Sequence, residues 1–221
     1  MFRRRATPIF ADRTDAGRDL AARLAELRFD DPVVLALPRG GVPVAYEIAS
    51  AFDAPLDVYV VRKIGAPGRP ELGIGAVAEG SSSFVVSPAA RGDIDEAELR
   101  RLAEDERREV DRRVDTYRRG RPLPSLTDRD VVLVDDGLAT GITAEAAVVA
   151  LREQAPRRLV LAVPVGAPDS VARLGTLVDR VECPAQPDDF RAVGQWYLDF
   201  DQTSDDEVLA LLDRSRATSA P

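Results

Sequence analysis

Residues 131–143 read Val-Val-Leu-Val-Asp-Asp-Gly-Leu-Ala-Thr-Gly-Ile-Thr, and the order of residue types in this stretch sets the expected architecture. Val131 to Val134 are apolar without interruption and three of the four are β-branched, the pattern of a strand buried on both faces, as in a parallel sheet. The strand stops at two acids, Asp135 and Asp136. Behind them Gly137 and Gly141 bracket small and hydroxylated residues, and an Ala-rich segment runs from Thr143 to Leu151. Strand, glycine turn and helix start follow one another.

Such a junction aims unpaired backbone N–H groups and the positive end of a helix dipole into the crevice at the carboxyl edge of the sheet, where phosphates bind. Thr140 and Thr143 add hydroxyl donors. Two carboxylates repel a phosphate but accept hydrogen bonds from sugar hydroxyls, so together the stretch describes a sugar-phosphate site. A purely structural strand and capped helix would leave the paired acids unexplained. Competing phosphate motifs fail: Gly137 to Thr143 has no lysine before its threonine, so it is not a Walker loop, and Gly73-Ile-Gly-Ala-Val-Ala-Glu-Gly80 lacks the dinucleotide spacing.

Outward from this centre the same rhythm repeats. Val33 to Leu37 reads as a short buried strand, Pro38-Arg39-Gly40-Gly41 as a turn, Val42 to Phe52 as a helix with Pro43 in its first turn, and Leu56 to Val61 as a strand. That is a βαβ unit with parallel pairing. Residues 64–83 are glycine-rich and read as a mobile loop leading into a β-ribbon that ends at Phe84-Val85-Val86. Asp95 to Arg119 reads as a long charged helix whose Glu and Arg residues pair four apart, Glu96–Arg100, Glu104–Arg108 and Glu109–Arg113 among them. Further strands are expected at Leu159 to Val165 and Leu177 to Val181, and helices at 14–28, from about Pro168, and at 205–214.

Composition bounds the rest. At 221 residues the chain suits one α/β unit, and a formal charge of −8 argues against nonspecific nucleic-acid binding, which needs a basic surface. Cys183 is the one cysteine and histidine is absent, so disulfides, cysteine–zinc clusters, His triads and His-ligated metals are excluded, and a reducing cytoplasm fits. The basic N-terminus lacks the apolar run of a signal peptide, and no segment approaches membrane-spanning length. Lys63 is the one lysine among many arginines.

The stretch 131–143 resembles the signature of type I phosphoribosyltransferases, which transfer ribose phosphate from 5-phosphoribosyl 1-diphosphate (PRPP) to a base. The resemblance extends from about Val33 to Phe200. It implies an α/β fold: a twisted, mostly parallel five-stranded sheet flanked by helices, in one unit with a core at about 30–182, a flexible flap at 64–83 and a small C-terminal hood at about 183–200. It also implies roles. Asp135 and Asp136 would hold the ribose hydroxyls and, through water, Mg²⁺, while Gly137, Leu138, Ala139, Thr140, Gly141, Ile142 and Thr143 would wrap the 5-phosphate. Arg39, Gly40 and Gly41 resemble the loop that takes the leaving diphosphate, often across a cis peptide. Arg62 and Lys63, worded most like adenine enzymes, would neutralise it.

The acceptor is less defined. The stretch Phe190 to Phe200 is similar to the hood of hypoxanthine-guanine enzymes, which makes Phe190, Trp196, Tyr197 and Asp199 the acceptor candidates, although four residues separate Gly194 from Asp199 where that family has three. Ala139 stands where those enzymes carry an aspartate, so Glu71 and Glu79 on the flap are the candidates for a general base. The expected protein is a Mg²⁺-dependent phosphoribosyltransferase of purine salvage, a cytoplasmic homodimer using PRPP and a nucleobase-like acceptor. A non-catalytic sensor of PRPP or nucleotides is the alternative.

Overall fold

The computed structural model describes residues 8–81, 84–87, 90 and 95–218, with backbone alone at 70 and 71. In chain order its strands are β1 (Pro32–Ala36), β2 (Leu56–Val58), β3 (Val61–Ala66), β4 (Arg69–Ala78), β5 (Phe84–Val86), β6 (Asp130–Val134), β7 (Arg158–Ala162) and β8 (Arg180–Glu182). Its helices are α1 (Arg13–Leu24), α2 (Gly41–Phe52), α3 (Glu96–Arg118), α4 (Ile142–Arg152), α5 (Pro168–Leu174) and α6 (Asp205–Thr218). Five strands form a sheet ordered β2-β1-β6-β7-β8 in which every neighbouring pair is parallel.

The uninterrupted apolar runs follow from this sheet having two covered faces. Val34, Ala36, Val132, Val134, Val160 and Ala162 pack on one face with Leu20, Ile48 and Leu212 of α1, α2 and α6. Val33, Leu35, Val131, Leu133, Leu159 and Leu161 alternate with them and pack on the other face with Ala147, Leu151 and Leu174 of α4 and α5. Each of these larger side chains contributes roughly 1.5–3 kcal/mol by leaving water.

Strand order places the site. The chain steps from β1 outward to β2 on one side and from β6 outward to β7 and β8 on the other, so the carboxyl ends of β1 and β6 flank a topological switch point. Loops there diverge and open a crevice.

Three expectations are corrected. Leu56 to Val61 is not one strand: β2 ends at Val58, and β3 begins at Val61 in a second, antiparallel sheet ordered β3-β4-β5. The cause is distant, since Val60 N–H donates to the Glu79 carboxylate (3.1 Å) and Val60 C=O accepts from Glu79 N–H (2.9 Å), drawing the chain out of the first sheet. Residues 64–81 are therefore mostly strand rather than loop, folded back at Pro67-Gly68, where Gly68 has φ 70°. Proline followed by a positive-φ glycine is the pair a type II turn favours. Residues 82 and 83 of that flap lie outside the described residues. The expected strand at 177–181 shifts to β8, because Leu177 N–H closes the turn after α5 on Leu174 C=O (2.9 Å).

Helix α3 matches its expected span and is capped by the Asp95 carboxylate, which accepts from Ala97 and Glu98 N–H at 3.2 and 3.3 Å. Glu96–Arg100 and Glu109–Arg113 pair as expected, whereas Arg108 turns to Asp105.

Candidate active site

Two loops meet at the switch point, and glycines let them. Gly41 begins α2; a Cβ there would lie 2.7 Å from Val134 O and 3.0 Å from Asp135 Cα, and one on Gly40 would lie 2.0 Å from Asp136 Oδ2. A side chain at Gly41 would run into backbone, and one at Gly40 would displace the Asp136 carboxylate. The Pro38–Arg39 peptide is cis, and Gly41 N–H closes the turn on Leu37 C=O at 3.1 Å. The Arg39-Gly40-Gly41 turn is thus pressed against Asp135 and Asp136.

The two acids have different surroundings. Asp135 Oδ1 accepts from Asp136 N–H (2.9 Å), and Asp135 lines a cavity of about 980 Å³ shared with Arg39, Gly40, Arg62, Lys63 and Thr143. Burial, and then the neighbouring Asp136 charge, push the Asp135 carboxyl well above the usual range, against a smaller downward pull from Lys63. Burial also raises Asp136, opposed by Arg13, whose Nε and Nη2 both lie 2.8 Å from Asp136 Oδ2.

Gly141, at φ 74°, precedes α4 and turns the loop into the helix. Leu138 and Ile142 are buried in the core, and the Leu138 backbone is taken up by the segment after β7, its N–H donating to Val165 C=O and its C=O accepting from Ala167 N–H, each at 2.8 Å; Ala139 and Thr140 are exposed and Thr143 half-buried. Helix α5 buttresses this loop: Ser170 Oγ donates to Ala139 C=O and Arg173 Nη2 to Thr140 C=O, each at 2.6 Å. Neither Ser170 nor Arg173 was legible as a site residue, since both lie outside the motif and act on its backbone.

The cations arrive with partners. Arg62 Nε lies 2.9 Å from Glu106 of α3, and Arg39 Nη1 lies 3.7 Å from Asp205 at the start of α6, where Tyr117 O–H also donates (2.6 Å). Lys63 is exposed on β3.

Among the described residues, Glu79, Phe190, Trp196, Tyr197 and Asp199 do not line this cavity. Glu79 is only 7% exposed and its carboxylate takes up Arg118 and Val60 N–H in the interior. Glu71 falls on β4, and its side chain lies outside the described residues. Trp196 and Tyr197 are buried with Phe10 in a separate cluster, against which Phe190 and Phe200 pack. Phe190 stacks on Trp196 at 6.5 Å between centroids, and Tyr197 O–H donates to Asp136 C=O at 2.6 Å. Through that bond Tyr197 braces the Asp136 backbone, while Asp199 stands exposed. Among the described residues no three His, Cys, Asp or Glu side chains converge as a metal site, and no described helix is long and apolar enough to cross a membrane.

Comparison with known proteins agrees with this geometry. A family model described as phosphoribosyl transferase domain matches residues 11–201. Two Mycobacterium tuberculosis proteins, provisionally named phosphoribosyl transferases, are each 50% identical over 208 residues, covering 94% of this chain and 47% of theirs. The chain therefore spans about half the length of these curated relatives. A crystal structure of a Thermus thermophilus protein superposes with a TM-score of 0.79 at 48% identity, over 92% of this chain and 97% of that one. A Neisseria gonorrhoeae protein solved with bound ppGpp shares the fold at 13% identity, with a TM-score of 0.50 over 97% of this chain and 100% of that one.

Proposed function

This chain belongs to the phosphoribosyl transferase domain family, and we propose that it transfers the 5-phosphoribosyl group of PRPP to a nucleobase-like acceptor with release of diphosphate. The observation that carries this reading is the convergence of the Arg39-Gly40-Gly41 turn and the Asp135–Asp136 pair at one crevice, with a glycine loop and helix start directly beyond. In this reading Gly137 to Thr143 receive the 5-phosphate, the acids accept hydrogen bonds from the ribose hydroxyls, and the turn after β1 takes the diphosphate.

The acids suit Mg²⁺, which is commonly bound by one or two carboxylates with the other ligands drawn from substrate phosphates and water. When bound, the ion would neutralise charge on the diphosphate. Breaking the anomeric C–O bond builds positive charge on the ribose and negative charge on the leaving group. Arg39, Arg62 and Lys63 line the same cavity as the turn and would stabilise the latter. The β3–β4 hairpin borders the same cavity, where closure would keep water from the ribosyl cation. A volume of about 980 Å³ leaves room for an acceptor beside the donor. Membership of the family, rather than any one residue, supports a nucleobase-like acceptor.

The test is an acceptor screen with PRPP and Mg²⁺, monitoring diphosphate release. At least one nucleobase should sustain turnover that Lys63→Met and Arg39→Met lower by about 10²-fold or more, in the range of lost transition-state charge stabilisation. Binding of PRPP without release for every acceptor would replace transfer by sensing.

A further inference from the structure

The N-terminal helix reaches the acid pair through a side chain that the signature does not contain. Arg13, the first residue of α1, donates from Nε to Asp136 Oδ2 at 2.8 Å, holds Nη2 in an ion pair 2.8 Å from the same oxygen, and donates from Nη1 to Asp201 C=O at 2.7 Å. Its guanidinium carbon lies 3.9 Å from the centroid of the Phe200 ring. The Arg13 and Asp136 side chains keep only 12% and 14% of their exposure, so the pair is held largely out of water. With both edges of the fork bonded and one face covered, the guanidinium has a single orientation.

The consequence falls on the acid. Asp136 Oδ2 occupies the space where a Gly40 side chain would begin, so the carboxylate is wedged between α1 and the diphosphate turn. Asp135 meanwhile spends Oδ1 on the Asp136 backbone. Each acid thus has one oxygen engaged by the protein.

We infer that Arg13 is a positioning residue of the donor site: it clamps Asp136 by Oδ2, leaves Oδ1 for a ribose hydroxyl, and ties that orientation to the C-terminal segment through Phe200 and Asp201. The inference rests on the donor reading above. An Arg13 that only anchored α1 would affect stability without distinguishing one ligand from another.

Titration calorimetry in Mg²⁺ separates these cases, with PRPP and inorganic diphosphate as the two probes. Arg13→Met should weaken PRPP binding about tenfold or more, as truncating one partner of a largely buried charge pair does, while diphosphate, which has no ribose, binds as to wild type. Arg13→Lys, with charge but no fork, should fall between. Because Arg13 acts through Asp136, Arg13→Met/Asp136→Asn should bind PRPP no worse than the weaker single variant. Thermal melts identify any variant that fails to fold, and Arg13→Lys then carries the comparison. Equal PRPP binding by wild type and Arg13→Met, parallel loss of both ligands, or additive losses in the double variant would each overturn the inference. Wild-type protein that binds no PRPP would instead overturn the donor reading.

Discussion

Asp130 shows how much a single carboxylate can hold at the edge of the sheet. It is 2% exposed at the start of β6, accepts from Asp30 N–H at 3.0 Å and pairs with Arg157 and Arg158. Burial alone would push its carboxyl up, but these donors outweigh burial and hold it below the usual range. A lowered folded-state pKa contributes stability above the unfolded value near 4, and that stability is lost as pH falls through the folded value. Asp130→Asn should therefore cost about 2 kcal/mol at pH 7 and flatten the acid limb of the stability profile, measured by urea unfolding from pH 7 to 3. An unchanged acid limb would remove Asp130 from the account. Residue-level legibility followed distance along the chain. Asp135, Asp136 and Thr143 could be read because they sit in one stretch with its strand and loop, whereas Arg13 meets its partner 123 residues away and lies just before the helix expected at 14–28.

At the scale of elements, the strands of the main sheet were legible because burial on both faces leaves an unbroken apolar run, as in Val131 to Val134. The second sheet was legible only in its last part, the β-ribbon ending at Phe84-Val85-Val86, while its β3 and the start of β4 read as loop. β3 and β4 carry glycines, and at Gly75 the neighbouring backbone comes close: a Cβ there would stand 2.5 Å from Val85 O and 3.2 Å from Ile64 Cδ1. Composition that reads as a loop is here the condition for tight strand pairing. Gly75→Ala should cost roughly 1–3 kcal/mol by forcing β4 and β5 apart. Hydrogen exchange should show it as faster exchange at Val86 and Ser87, with β6 protected as in wild type; unchanged exchange at those amides would contradict the close approach. The aromatics of residues 190–200 were legible as a cluster, but sequence alone could not show that Trp196 and Tyr197 are buried with Phe10 or that Tyr197 donates to the Asp136 carbonyl.

Across the whole molecule, the reversal of strand order between β1 and β6 explains why residues from opposite ends of the chain meet: α1 brings Arg13, the turn after β1 brings Arg39, and the loop after β6 brings the acids. It also gathers Arg39, Arg62 and Lys63 around one cavity, together with Asp135 and the acids Glu98, Asp105 and Glu106 of α3. The fold comes from the period-two burial of five strands, and the chemistry comes from what their carboxyl ends carry. The most direct test of that claim is calorimetric titration of PRPP with Mg²⁺ into wild type and Asp135→Asn. Wild type should show saturable one-site binding, and the variant a loss of about tenfold or more with a melting curve that stays cooperative. Absence of binding to wild type, or equal binding to both proteins, would contradict it.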